Sequence, residues 1–242
     1  MTLKDKLWSL NIGAQKRTMD NFNKYSLLVN ASEVSKNHYR NKPRHLQINP
    51  MGNIPAEYRV AMETTQLFDQ PKLVSMYDKE LKDLVTEDYF IKTISIVDGL
   101  LEDVYEMLLL EKGVTEKKAG DLAIFGNGDD KLPHALLKEI PKLATLKNGD
   151  GYVLEDFLHM YEIYRQARHA IIHNKGELKE RHKKKLIAVC ALISAKIGKP
   201  YNYEDLPLFE NNKVKMDLMG MVQLRKWTMS FLAFITLGIE ED

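Results

Sequence analysis

Within the segment Arg165–Leu178, RQARHAIIHNKGEL, the chain places an arginine and two histidines inside what otherwise reads as an ordinary amphipathic helix. Arg168, His169 and His173 are residue types that can cut RNA without a metal. That reaction needs a base for the 2′-hydroxyl proton, an acid for the leaving 5′-oxygen, and fixed positive charge beside the crowded phosphate. Histidine titrates near pH ~6.5 and fills either proton role at neutral pH. Arginine keeps its charge and presents a planar fork of donors, which suits the third role. Arg165, Lys175, Lys179 and Lys183, with Arg181, Lys184 and Lys185, would grip the flanking phosphates. A zinc site fits less well, because the metalloprotease pattern needs a glutamate directly after the first histidine and Ala170 stands there. No metal and no cofactor are expected. His38, His45, His134, His159 and His182 read as surface or capping residues.

The helix carrying these groups is expected over Val153 to about Lys175. Advancing ~100° per residue, Val153, Phe157, Met160, Tyr164, Ala170 and Ile171 fall on one arc, the expected buried stripe. Glu155, Glu162, Gln166, His169 and His173 lie opposite. The two histidines therefore share a polar face one turn apart, with Glu162 two turns before His169 as a supporting acid. Arg168 points instead toward the apolar side, near Phe157, Tyr161 and Ile172. A guanidinium there needs either a buried carboxylate or an anion bound in a cleft. Arg168 and His173 are also ~140° apart on a regular helix, so they meet only if the helix unwinds locally or if two copies face each other. Asn174 and Gly176 leave helical geometry easily, which favours a stop or distortion directly after His173.

Composition supports a helical scaffold. The 242 residues are 44% apolar, enough for a sizeable core, and few stretches alternate with period two. The formal net charge of +1 excludes a global basic surface of the kind that coats nucleic acid. Local patches remain: residues 165–185 hold eight Lys/Arg against two Glu, and residues 1–50 hold nine against three acids. Cys190 is the single cysteine, so an internal disulfide is impossible and a reducing, cytoplasmic setting is expected. No apolar run reaches the ~18 residues of a membrane span.

The fold expected is all-α: a helical bundle with an N-terminal helical extension and a short irregular or hairpin excursion before the last helix. Residues 1–70 form the extension, helical to about Val34, then broken by KNHYRNKPRHLQINPMGN and resumed at Pro55. Residues 71–242 form the bundle. Its first long helical stretch stops near Gly113 and buries Ile91, Ile94, Ile96, Leu100, Leu101, Val104, Leu108 and Leu109. Residues 114–151 are an excursion with one short helix after Pro133, and the Asp129/Asp130 pair lacks the spacing of a calcium loop. A helix from Lys183 to Ile197, apolar around its middle, is expected at the centre. The last helix runs from about Asp217 to Leu237.

The stretch RHAIIHNKGEL resembles the signature of the HEPN superfamily (higher eukaryote and prokaryote nucleotide-binding domains), with Arg168, His169, three residues and His173, followed by Asn174-Lys175-Gly176. YFIKTISIVDGLLEDVYEMLL resembles the family's first long core helix, and LPLFENNKVKMDLMGMVQLRKWTMSFLAFI its polar excursion and last helix. The resemblance runs from about Pro71 to the C-terminus. It implies an all-α homodimer whose two motifs face each other in a cleft, acting as a metal-independent endoribonuclease in a toxin–antitoxin pair, abortive infection or other phage defence. An antitoxin or regulatory partner would then join RNA and a second copy as partners. By position it makes Arg168 and His173 the catalytic pair, His169 a companion that orients RNA or assists proton transfer, and Asn174 a supporting hydrogen-bonder. The family also holds silent members that only bind nucleotides or dimerise, which is the alternative reading.

Overall fold

The computed structural model describes residues 2–49, 55–58, 67–124 and 142–241. The described residues are mostly helical: α1 (Leu3–Arg40), α2 (Gln70–Ser75), α3 (Leu81–Glu111), α4 (Glu116–Ala123), α5 (Lys142–Thr145), α6 (Leu154–Asn174), α7 (Glu180–Ile197) and α8 (Leu218–Glu241). Between α7 and α8 a two-stranded hairpin pairs β1 (Phe209–Glu210) with β2 (Lys213–Val214). This is the all-α bundle with a hairpin before its last helix. The expected short helix after Pro133, the Asp129/Asp130 pair and most of the stretch after Pro55 lie outside the described residues, where only a single 3-10 turn at Ala56–Tyr58 is described. Among the described residues no helix is long and apolar enough to cross a membrane.

By compactness the chain divides into one unit formed by Met1–Phe22 with Glu87–Asp242, and a second formed by Asn23–Thr86. This follows a different criterion from a cut at residue 70, since the first twenty-two residues count with the bundle. In the first unit the α3 stripe is Phe90, Ile94, Val97, Leu101, Val104 and Leu108, all buried at alternating spacings of three and four. Ile91, Ile96 and Leu109, expected inside, are only half-buried, because the stripe is narrower than an apolar count suggests. Phe157 of α6 meets Phe231 and Phe234 of α8 at ring separations of 5.8 and 5.3 Å, and Tyr164 meets Trp227 at 4.9 Å. Asn11 of α1 donates to the Leu232 carbonyl and to Thr236, tying the start of the chain to α8. At Gly238 an added Cβ would overlap the Leu143 side chain, so only glycine lets α5 and α8 approach this closely.

Helix α7 corrects an expectation. It buries one face only, through His182, Leu186, Val189 and Cys190, while Ile187 and Leu192 are 58% and 56% exposed. An all-round apolar middle therefore does not make it central.

In the second unit α1 continues to Arg40, six residues past the expected break at Val34. No proline intervenes before Pro43, and tertiary contacts hold the extra turns. Ser32 donates to the Tyr77 carbonyl at 2.6 Å, Tyr39 stacks on Tyr77 at 5.5 Å, and Gln70 donates to the Arg40 carbonyl at 3.0 Å. Lys36 and Lys82 both pair with Glu33 and Asp78. Asp69 caps α2 by accepting from the Lys72 N–H, with Pro71 in the first turn.

Candidate functional site

Both ends of α6 are fixed by local chemistry. At its start Asp156 reaches back to accept from the Val153 N–H at 2.9 Å. At its end Lys175 and Gly176 both adopt left-handed backbone, with φ of 52° and 81°, and the Gly176 N–H returns to the Ala170 carbonyl. The hairpin then fastens this exit. The Val214 N–H donates to the Gly176 carbonyl, and the Leu178 N–H to the Asn212 carbonyl, each at 2.9 Å. The hairpin owes its tight turn to Asn211 and Asn212, whose φ values of 51° and 62° suit asparagine.

The helix is consequently regular through Asn174. That closes the first of the two routes by which Arg168 and His173 would meet. Local unwinding does not occur between them, and within one copy they stay on different faces.

Arg168 has found an acid. Its Nη1 lies 3.0 Å from Asp98 Oδ2 on α3, and Asp98 Oδ1 accepts from the Tyr161 hydroxyl at 2.5 Å. The Asp98 side chain is 14% exposed and that of Arg168 is 29% exposed. Burial pushes the Asp98 carboxyl above its ordinary range, opposed by the Tyr161 hydrogen bond and the charges of Arg168 and Arg165. The guanidinium keeps free capacity, since its buried Nε has no acceptor.

The histidine face is built differently. The His169 and His173 rings lie 4.5 Å apart, and His182 of α7 stands 5.2 Å from His169. Arg181 donates from Nη2 to His169 Nε2 at 2.9 Å, which places the His169 proton on Nδ1. His182 Nδ1 accepts from the Lys179 N–H at 3.2 Å, capping α7, and its Nε2 accepts from Arg181 Nε at 3.2 Å, so Arg181 bonds both rings. Burial, then the neighbouring His173 and Arg181, hold His169 below the usual histidine value. Burial first, then His169 and Arg181, bring His182 down to about 4. His169 and His182 are therefore neutral at pH 7, in a field of cations that also includes Arg165 and Lys185.

His182 carries a stability consequence. Its folded pKa lies below the unfolded value near ~6.5, so the unfolded chain binds the extra proton first as pH falls. The stability it contributes is complete above pH ~6.5 and declines toward pH ~4, by at most ~3.4 kcal/mol. Denaturant titrations of His182→Gln, which keeps the capping acceptor without the titration, are expected to show a flatter decline over that window. An unchanged slope would assign the decline to other groups.

Other sequence candidates take more ordinary places. Glu162 bonds Arg165 at 3.2 Å and Gln166 at 2.7 Å along its own helix, so those two side chains occupy it. Gln166, expected on the polar outer face, is buried because that face is turned toward other elements. Asn174 has a buried Nδ2 with no acceptor. Lys179 pairs with Glu177 and Lys183 with Glu180, contacts of the weak surface kind, while Lys175 is exposed. His173 is exposed. Among the described residues no group of three His, Cys, Asp or Glu side chains is placed to hold a metal ion.

Sequence reasoning missed the pairing of Asp98 with Tyr161 and Arg168. The signal was present as a lone acid inside the apolar run TISIVDGLL. It also set His182 aside as a cap, a role it does play, without seeing that α7 would bring it to His169. No family model, no curated protein and no solved structure matches this chain.

Proposed function

We propose that this chain is a metal-independent endoribonuclease of the HEPN type, acting in a defence or toxin role within the cytoplasm. The observation that carries this reading is the His169–His173 pair: two imidazoles 4.5 Å apart, with Arg181 bonded to the first and cations around both. Such a surface attracts a phosphodiester and offers it a proton acceptor. In contact, the rings leave no gap for a phosphate, so the exposed His173 rotates aside as the substrate enters. The 2′-oxygen attacks phosphorus and its proton passes to His173. The P–O5′ bond then breaks and the leaving oxygen takes a proton from water, giving a 2′,3′-cyclic phosphate and a 5′-hydroxyl. His169, neutral and bonded to Arg181, aims that guanidinium at the charge that develops on the phosphate. Arg168, anchored on Asp98 and turned away from His173 in its own copy, would meet the phosphate held by a second copy across a twofold axis.

The test is incubation of purified chain with mixed RNA in EDTA. Fragments ending in cyclic phosphate are expected from the wild type and none from His173→Ala. Intact RNA in both would remove the catalytic reading. The Arg168–Asp98 ion pair favours a second reading, a non-catalytic module in which the motif arginine is structural. Under it, Arg168→Ala lowers stability or dimerisation and the wild type cuts no RNA.

A further inference from the structure

At the opposite end of α6 from the histidines, ~20 Å away along the helix, lies a groove of about 560 Å³ within the first compact unit. Its lining includes Tyr152, Phe157, Tyr201 and Trp227, with Lys199 and Lys226 among them. We infer that this groove is a binding site for a small planar anion of nucleoside-monophosphate type. This goes beyond the proposed RNA cleavage and does not depend on it.

Three observations converge. The volume falls within the ~300–1,000 Å³ common for small-molecule sites, and four aromatic residues stand in the walls, surfaces on which a flat heterocycle can stack. The charge balance favours an anion. Of the two acids in the lining, Asp156 is already neutralised by Lys196 at 2.6 Å and bonded by the Val153 N–H, while neither Lys199 nor Lys226 forms an ion pair with a described residue. Asp150 remains as an acceptor suited to a ring amine. Finally, Trp227 lines the groove and is only partly buried, so its indole has a face on which a flat ring can stack.

The walls are built to hold this shape. The Tyr201 N–H donates to Ser194 Oγ at 2.9 Å, fixing the loop after α7, and Trp227 stacks on Phe231 at 5.6 Å. Tyr152, at 53% exposed, is the ring left open to close over a ligand. The anion could come from a free nucleotide or from one nucleotide of an RNA strand.

The chain has two tryptophans, so Trp8→Phe leaves Trp227 as the sole indole reporter. Titrating that full-length variant with AMP is expected to quench its fluorescence saturably at submillimolar concentration, with inorganic phosphate alone producing no quench. Adding Lys199→Gln and Lys226→Gln should weaken AMP at least ~10-fold, the loss expected for two charge contacts, and leave adenosine unaffected. Adding Tyr152→Ala should weaken both ligands. A short oligoribonucleotide that binds more tightly than AMP points to a strand as the source, and weaker binding points to the free nucleotide. No saturable quench by AMP or oligonucleotide up to ~5 mM, or equal AMP binding with and without the two lysines, overturns the inference. Adding His173→Ala should leave the AMP titration unchanged, which separates this site from the proposed nuclease site.

Discussion

Asp98→Ala is expected to destabilise the chain by ~3–5 kcal/mol, because it strands a partly buried guanidinium and a buried phenol at once. Breaking such a pair costs more than the pair contributes, since the surviving charge keeps its desolvation penalty. Asp98→Asn is the informative comparison. It retains an acceptor for the Tyr161 hydroxyl and removes only the negative charge, so a cost nearer ~1–2 kcal/mol is expected. Burial already holds the Asp98 carboxyl above its ordinary range, which makes the neutral replacement the milder one. Urea unfolding of the two variants beside wild type checks the order. Equal, small losses would mean that water, not Asp98, satisfies Arg168.

Arg181→Ala is expected to lower RNA cleavage by ~10²-fold with the fold intact, the usual consequence of removing one fixed charge from a phosphoryl transition state. Arg181 is exposed and begins α7, so little packing is lost with it. The titration of His169 carries a second signature. Arg181 is among the charges that hold His169 below its usual value, so without it His169 takes up a proton at higher pH. A titration of the imidazole proton resonances should therefore place the His169 midpoint at a higher pH in Arg181→Ala than in wild type. Arg181→Lys should recover part of the rate. Cleavage unchanged by Arg181→Ala would place the chemistry elsewhere.

Much of the scaffold was legible from residue spacing. The motif helix, its stop at Asn174-Lys175-Gly176 and the last helix are written in apolar periodicity and left-handed residues. The hairpin is written in the Asn211-Asn212 turn. The site was legible as a list of residue types but not as an assembly. Nothing local distinguishes an arginine awaiting a phosphate from one awaiting Asp98, because the acid lies seventy residues upstream. Likewise Arg181 and His182 join His169 only because the loop after α6 reverses the chain. Periodicity also misjudged α7, where Ile187 and Leu192 read as core and stand exposed. Apolar content reports that a face can be buried, and only tertiary structure supplies what covers it.

The central claim is that a regular α6 keeps Arg168 and His173 apart in one copy and that two copies complete the site. Mixing separately inactive Arg168→Gln and His173→Ala chains, under conditions that exchange subunits, tests it most directly. Cleavage at about a quarter of the wild-type rate is predicted, since half the dimers are mixed and each mixed dimer holds one intact site of two. A mixture as silent as its components, while wild type cuts RNA, would contradict a shared site.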